Sequence, residues 1–387
     1  MTTTSQRPLI LCLTVVCLAG CNRTERPADP KPVSRASSIA GAESHAEPGA
    51  AAQLPSDAQR WKGVARGVAW DANWGDRSNW YGSEGAKKGL DKIKGDIGVD
   101  WIAVTPFSYQ NSVNEPGIRF RDGWDKLEAD VKNAHDRGIK VMVKPHIWSN
   151  QFWDGSNNWR GTIRMKSEED WATWFENYEA WIVVEAQTAQ ELGADAFCVG
   201  LEYLESSRAH ADKWRKVIAA VRKVYHGPLT YAAHESEADL PFWDDLDFIG
   251  INAYFKIAKD TEPTDAYMKE RWQERAVELA KMSEKWGKPI VFTEVGFASV
   301  DGCAKAPWAW PSERDTEDLE EQAAAYRSLF AVAPNWEWFG GMFIWKYKIT
   351  VPQSNAAERH YVFQDKPAQA VIAAGFKQRF AADVKNQ

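Results

Sequence analysis

The chain has 387 residues, 44% of them hydrophobic and 26% charged, a composition that excludes an intrinsically disordered protein. Its formal net charge of -7 is not gathered in one tail, which argues against a nucleic-acid-binding surface. The length allows one large domain or two ordinary ones.

The first stretch, MTTTSQRPLILCLTVVCLAGC, starts polar with Arg7, runs apolar from Leu9 to Leu18 and ends in small residues before a cysteine. Residues 1–20 therefore read as a bacterial secretory signal, with an apolar run too short to span a bilayer comfortably. Leu18-Ala19-Gly20-Cys21 resembles a lipobox, in which Cys21 takes lipid and becomes the mature N-terminus. The alternative is ordinary cleavage that leaves a chance cysteine. Beyond Cys21, the segment up to residue 60 is rich in Pro, Ala, Ser and Glu. It has too few large apolar side chains to offset its ordering entropy and reads as a flexible tether. The folded domain is expected over 61–387. Of the five cysteines, Cys12 and Cys17 leave with the signal. Cys198 and Cys303 remain, which make no disulfide framework; Cys198 reads as a buried small hydrophobe and Cys303 as a loop thiol.

From Trp61 on, short apolar runs alternate with longer amphipathic ones. The strand candidates are GVARGVAW (63–70), VDWIAVTPF (99–107), IKVMVKPHIW (139–148), DAFCVGLE (195–202), PLTYAAH (228–234), DFIGINAY (247–254), PIVFTEVG (289–296) and GGMFIWKY (340–347). Most are rich in Val, Ile and aromatics, as buried parallel strands are. Between them, 123–138 carries Trp124, Leu127, Val131 and Ala134 at helical spacing and stops at Gly138. The stretch 167–193 opens on Ser167 and Asp170, a capping-box-like pair, and stops at Gly193; 266–287 ends on glycine in the same way. The connection 235–246 is short. Repeated strand-then-helix units predict a single α/β domain, a (β/α)8 barrel of the TIM type. An open doubly wound sheet would show a Gly-rich phosphate turn after its first strand, and AWDANWGDR (69–77) has none.

Active sites of such barrels sit at the C-terminal ends of the strands. Those ends offer Trp70, Asn73, Lys144, His146, Trp148, Tyr203, Tyr231, His234, Asn252, Tyr254 and Trp345 as candidate substrate-binding residues. Two carboxylates stand out, Glu202 on the fourth strand and Glu294 on the seventh. Alternation puts Glu202 on the face of Gly200 and Cys198, small neighbours that leave room for an inward carboxylate. Strands four and seven face each other across the barrel, and two carboxylates flanking a cleft are the equipment of glycoside hydrolysis. At a separation of about 5–5.5 Å one attacks the sugar while the other donates and later removes a proton. Glu294 is expected to attack and Glu202 to move the proton, with Tyr254 holding Glu294 by a hydrogen bond. Glu205, Glu235 and Glu237 lie further into loops and are expected to be solvated.

The chain has 21 tryptophans. Trp74, Trp80, Trp148, Trp153, Trp159, Trp308 and Trp310 fall in loops beyond strand ends, and a few of them are expected to act as platforms for the apolar faces of sugars. Trp171 and Trp214 sit at helical core spacing and read as packing. His146 and His234 are candidate metal ligands, but there is no His-x-His on the first strand and no HExxH. A catalytic zinc takes three protein ligands, so no metal and no cofactor are expected.

Taken together and in order, AVTPFSYQ (103–110), VKPHIW (143–148), CVGLEY (198–203), LTYAAH (229–234), LDFIGINAYF (246–255) and VFTEVGF (291–297) resemble glycoside hydrolase family 113 across nearly the whole domain. The resemblance implies a (β/α)8 barrel of the large clan of retaining glycosidases, with Glu202 as acid/base and Glu294 as nucleophile. It also implies activity mainly on β-1,4-mannan. One position departs from the pattern. The clan commonly has Asn before the acid/base and the family tends to a small hydroxyl residue, where a polar group helps bind the sugar near its 2-position; this chain has Leu201.

The sequence thus leads to a membrane-tethered retaining β-mannanase acting on a β-linked polysaccharide or oligosaccharide. The same mechanism on another β-hexoside, such as a β-glucan, a galactan or an amino-sugar polymer, shares these residues. So does a lipoprotein that binds glycans without cleaving them, although the presence of both glutamates speaks against it. Asn22 is not the Asp associated with inner-membrane retention, so an exported, outer-membrane-anchored lipoprotein is expected. Replacing Cys21 with Ser is expected to release the domain from membranes or to block processing. Cell fractionation checks this, and full membrane partition of the Cys21→Ser protein would sink the lipid anchor.

Overall fold

The computed structural model describes residues 61–72, 80–120, 124–152, 156–260, 262–349 and 359–385. The signal, Cys21 and the linker lie outside the described residues, as do Asn73, Trp74 and Trp153. In chain order the strands are β1 (Ala65–Asp71), β2 (Trp101–Val104), β3 (Phe107–Gln110), β4 (Ile118–Arg119), β5 (Lys140–Val143), β6 (His146–Trp148), β7 (Ala196–Leu201), β8 (Leu229–His234), β9 (Ile249–Asn252), β10 (Ile290–Val295) and β11 (Phe339–Lys348). The helices are α1 (Glu84–Lys92), α2 (Trp124–His135), α3 (Glu168–Glu191), α4 (Leu204–Ala209), α5 (Ala211–Arg222), α6 (Asp265–Trp286), α7 (Leu319–Phe330), α8 (Pro367–Phe376) and α9 (Ala381–Lys385).

Eight strands close into one parallel barrel in the order β1-β11-β10-β9-β8-β7-β5-β2. This is the (β/α)8 architecture that the strand–helix alternation predicts. Two expected strands are shorter than their apolar runs, and proline is the reason. Thr105-Pro106 and Lys144-Pro145 interrupt 99–107 and 139–148, because proline has no N–H for the ladder. Beyond each break the chain leaves the barrel. β3 then pairs in parallel with β6 and antiparallel with β4, making a small sheet at the ends of β2 and β5. The short connection 235–246 forms two 3-10 turns, Glu235–Glu237 and Trp243–Asp245, in place of a helix.

Residues at the starts of the strands plug the lower barrel. Trp61 stacks on Trp101 at 4.7 Å and lies against Phe248 at 4.3 Å, with Ala65, Ala103, Met142, Ala196, Val291 and Phe343 around them. Burying each large apolar side chain contributes roughly 1.5–3 kcal/mol. The barrel closes where β11 passes β1, and closure depends on Gly341. Its φ is +113°, and a Cβ there would lie 2.2 Å from the Ala65 nitrogen. Outside the barrel, α3 starts at Ser167, whose side chain accepts the Asp170 N–H. It carries Trp174 and Tyr178, stacked at 4.9 Å, against Trp214 of α5.

Simple alternation fails in β7. The β7–β8 register skips between Cys198 and Leu201, the mark of a bulge. A Cβ on Gly200 would lie 2.8 Å from the Trp214 ring and 2.9 Å from the Tyr231 ring. Gly200 therefore faces the helix layer and does not clear space for Glu202, contrary to the reading from period-two alternation. Cys198 and Cys303 are both free and both buried; Cys303 lies in a turn, as expected of a loop thiol, and packs against the core. Gly200→Ala is expected to lower unfolding stability by about 1–3 kcal/mol through overpacking. Guanidinium denaturation reads this, and an unchanged midpoint would place Gly200 on the open side of the strand.

Candidate active site

Glu202 is the first residue past β7. Its φ is +52°, in the left-handed region that side chains other than glycine rarely adopt. Holding it there costs of order 1–3 kcal/mol, and its N–H is anchored on the Ala232 carbonyl at 3.0 Å. The turn brings the carboxylate to Asn252 at the end of β9, whose Nδ2 donates to Glu202 Oε1 at 2.9 Å. Arg160 Nη2 donates to Glu202 Oε2 at 3.3 Å. The Asn252 amide is fixed from its other side, since the Thr293 hydroxyl donates to Oδ1 at 2.9 Å.

Glu294 sits one residue further along β10, opposite Asn252 in register. Lys144, just past β5, ion-pairs with Glu294 Oε1 and donates to the Thr293 carbonyl at 3.2 Å. The Tyr254 hydroxyl donates to Glu294 Oε2 at 2.8 Å. Burial and the neighbouring Glu294 charge hold the Tyr254 phenol well above its ordinary pKa, so it keeps the proton it donates. Glu202 and Glu294 are only 6% and 4% exposed, so both depend on these partners.

Both carboxylates line one cavity of about 460 Å³. Arg160, bonded to Glu202, and Tyr254, bonded to Glu294, line it with Trp159, His234, Glu235, Trp308, Trp310, Trp345 and Tyr361. Trp308 and Trp310 are 50% and 47% exposed, which leaves indole surface open to a ligand. His234 lies against Trp159 at 5.1 Å, and burial lowers its pKa. The peptide between Trp345 and Lys346 is cis, and Lys346 pairs with Asp71 at 2.7 Å.

The structure thus brings together Glu202, Glu294, Lys144, Asn252, Tyr254, His234 and Trp345. Other candidates go elsewhere. Trp70 is fully buried outside the barrel, stacked on Tyr347 at 5.5 Å, with its indole N–H on Asp130 at 2.8 Å. Tyr203 stacks on Trp214 at 5.9 Å in the helix layer. Tyr231 is buried with its hydroxyl donating to Glu237 at 2.8 Å and accepting the Tyr203 N–H at 2.8 Å. These residues flank the β7 bulge or point into the helix layer, so a place at a strand end does not bring them to the cavity. Trp148 packs edge-on against Phe107 and Phe152 and does not line the cavity.

His146 is buried against Phe107 at 5.2 Å and also stays out of the cavity wall. Burial, then the Arg160 and Lys144 charges, push its pKa well below the usual value. Among the described residues no group of three or more His, Cys, Asp and Glu side chains is arranged to hold a metal ion.

Two loop acids are not solvated. Glu237 is 3% exposed, and it accepts bonds from the Ser207 hydroxyl, the Tyr231 hydroxyl and the His234 N–H. Burial pushes its carboxyl up to about 7. Glu235 lines the cavity. Glu205 alone behaves as expected, paired at the surface with Arg164 at 2.5 Å. Arg160 and Tyr361 escaped the sequence reading. Arg160 heads a short 3-10 turn, Arg160–Thr162, in the connection from β6 to α3. No periodicity marks it, and its one sequence signal is the tryptophan beside it.

A barrel with paired carboxylates and aromatic walls at its strand ends defines a glycoside hydrolase of the (β/α)8 kind. The profile of Glycoside Hydrolase Family 113 matches residues 68–366, and the chain belongs to this family. Among solved structures it is similar to a complex of a GH113 β-1,4-mannanase, with 26% identity and a TM-score of 0.71 over 82% of this chain and 100% of that one. It is also similar to a GH113 β-mannanase from Alicyclobacillus acidocaldarius in complex with ManMIm, with 29% identity and a TM-score of 0.70 over 81% and 97%. A β-glucuronidase from Ruminococcus gnavus shares the fold alone, at 13% identity and a TM-score of 0.53 over 81% and 50%. No curated protein sequence matches.

Lys144 is fully buried, and its ammonium balances a buried carboxylate. Lys144→Met is expected to cost about 3–5 kcal/mol of stability, the usual effect of stranding one member of a buried ion pair. Adding Glu294→Gln should return part of that loss, which a double-mutant cycle in guanidinium measures. Purely additive losses would show that the pair is not coupled.

Proposed function

We propose that this glycoside hydrolase is a retaining β-mannanase in which Glu294 is the nucleophile and Glu202 the acid/base. The observation that carries the reading is the contrast between two buried carboxylates in one cavity. Glu294 takes an ammonium on one oxygen and a phenol on the other, so it is aimed and cannot turn. Glu202 is held by a neutral amide and a longer contact to Arg160, on a strained turn. In the first step Glu294 attacks the anomeric carbon as the glycosidic C–O bond breaks, and Glu202 gives its proton to the leaving oxygen. In the second step water attacks that carbon, Glu202 takes the water proton, and the bond to Glu294 breaks.

The half-exposed indoles of Trp308 and Trp310 suit the C–H faces of a sugar chain. The two mannanase neighbours favour β-1,4-mannan. A second reading keeps the mechanism and changes the hexose. One observation favours it: Leu201 is fully buried, so contact with the 2-hydroxyl falls to other groups than in the family pattern. The proposal includes tethering through lipid on Cys21, for which the lipobox-like tetrapeptide is the support.

Product analysis on β-linked mannan, glucan, galactan and amino-sugar chains tests the substrate. Following the first-formed product by NMR tests the stereochemistry, and an inverted anomer would end the two-step mechanism. Glu202→Ala should keep more activity on an activated aryl glycoside than on a polysaccharide, because a good leaving group needs little protonation. Added azide should speed its second step. Near-normal activity in both Glu202→Ala and Glu294→Ala would remove these glutamates from the chemistry.

A further inference from the structure

The cavity holds a third carboxyl, that of Glu235, for which no hydrogen-bond partner stands among the described residues. Glu235 follows His234, the last residue of β8, and heads the turn Glu235–Glu237. Its side chain lines the same cavity as Glu202 and Glu294. Its Oε2 is sealed from solvent and meets no hydrogen-bond partner among the described residues. The charge of Arg275 reaches it, but the Arg275 guanidinium donates instead to Glu278 at 2.8 Å. The other two acids of this wall are satisfied, Glu202 by Asn252 and Arg160 and Glu294 by Lys144 and Tyr254, and so is the nearby Glu237, by Ser207, Tyr231 and a backbone N–H. Leaving a buried polar group unpaired is costly, and burial has pushed the Glu235 carboxyl up to about 7.

The position of Glu235 indicates what would engage it. If Glu202 protonates the leaving oxygen, the leaving-group sugar lies against the residues around Glu202. Arg160 touches Glu202 directly, His234 lies against Trp159, and Glu235 is the next residue on. Glu294 has a different surround, with Tyr254 bonded to it and Tyr361 6.2 Å from Tyr254. With Oε2 sealed off, Oε1 is the oxygen left to the cavity, and a carboxylate oxygen is an acceptor that suits a sugar hydroxyl. Resting on the assignment of Glu202 as acid/base, we propose that Glu235 is a specificity residue that accepts a hydrogen bond, through Oε1, from a hydroxyl of the leaving-group sugar.

The test compares two substrates that differ only in the leaving group. One is a β-1,4-manno-oligosaccharide, whose leaving group is a sugar. The other is an aryl glycoside of the same glycone, whose leaving group is a phenol without those hydroxyls. In Glu235→Gln and Glu235→Ala, the ratio of kcat/KM on the oligosaccharide to that on the aryl substrate should fall about tenfold or more, the effect of losing one hydrogen bond to a charged group. Thermal unfolding of each variant separates this from a folding defect, which would depress both substrates together. An unchanged ratio, whether both activities persist or fall equally, overturns the proposal. If the wild-type enzyme cleaves neither substrate, the mannanase reading fails first and the role of Glu235 on this sugar falls with it.

Discussion

Burying an ionised carboxylate is costly unless it is paired, and the upper half of this barrel is arranged around the ammonium that pairs with Glu294, which is 4% exposed. Lys144 reaches Glu294 because β5 stops at Val143 and Pro145 prevents the strand from continuing. The lysine occupies the residue between. Its ammonium then spans the barrel from the third strand to the seventh, binding both the Glu294 carboxylate and the Thr293 carbonyl. The same Thr293 holds Asn252 through its hydroxyl, and Asn252 holds Glu202. The two glutamates are thereby linked through one polar chain, so displacing either disturbs the other. Such networks are stabilising only when every member is satisfied.

The plug beneath them has the opposite character. Trp61, Trp101, Phe248 and Phe343 fill the lower barrel with apolar volume, which leaves water and polar chemistry no place below the network. The division follows from where along each strand a residue falls. Early positions meet the plug, and late positions meet the cavity. The bulge in β7 modifies this rule locally. It turns Gly200 toward Trp214, and the left-handed turn at Glu202 then brings a polar side chain to the interior where regular alternation had been broken.

This explains why part of the site was legible in the sequence and part was not. The eight strands, the glycine stops and the two glutamates carry signals that are local: composition, period and a polar residue where an apolar run ends. Asn252, Tyr254, Lys144 and Trp345 followed from the same signal and do meet the two carboxylates or the cavity. Trp70, Tyr203 and Tyr231 carried that signal equally and are packing residues, because the face presented by a strand end depends on bulges that period-two counting does not see. The proline breaks after Thr105 and Lys144 were visible as letters, yet each apolar run resumed beyond them, so the runs read as single strands. Arg160 had no signal beyond the tryptophan beside it, since its position depends on how the loop from β6 to α3 brings it to Glu202.

Glu235 marks the other way a sequence misleads. Distance from a strand end along the chain is not distance from the core. The fifth unit has no helix to carry the chain away, and two 3-10 turns keep it against the barrel mouth. Glu237 is thereby drawn into a buried network with Ser207 and Tyr231, and Glu235 into the cavity wall. A missing helix thus becomes a functional feature, because it leaves room for loop side chains to reach the cavity. The fourth strand supplies Glu202 through a strained turn. The fifth supplies its surroundings through a truncated connection. The framework of the barrel fixes the reaction class, and these two irregularities, together with the loop that bears Trp159 and Arg160, shape the wall beside Glu202. Substrate preference on that side should therefore follow loop residues more closely than strand residues.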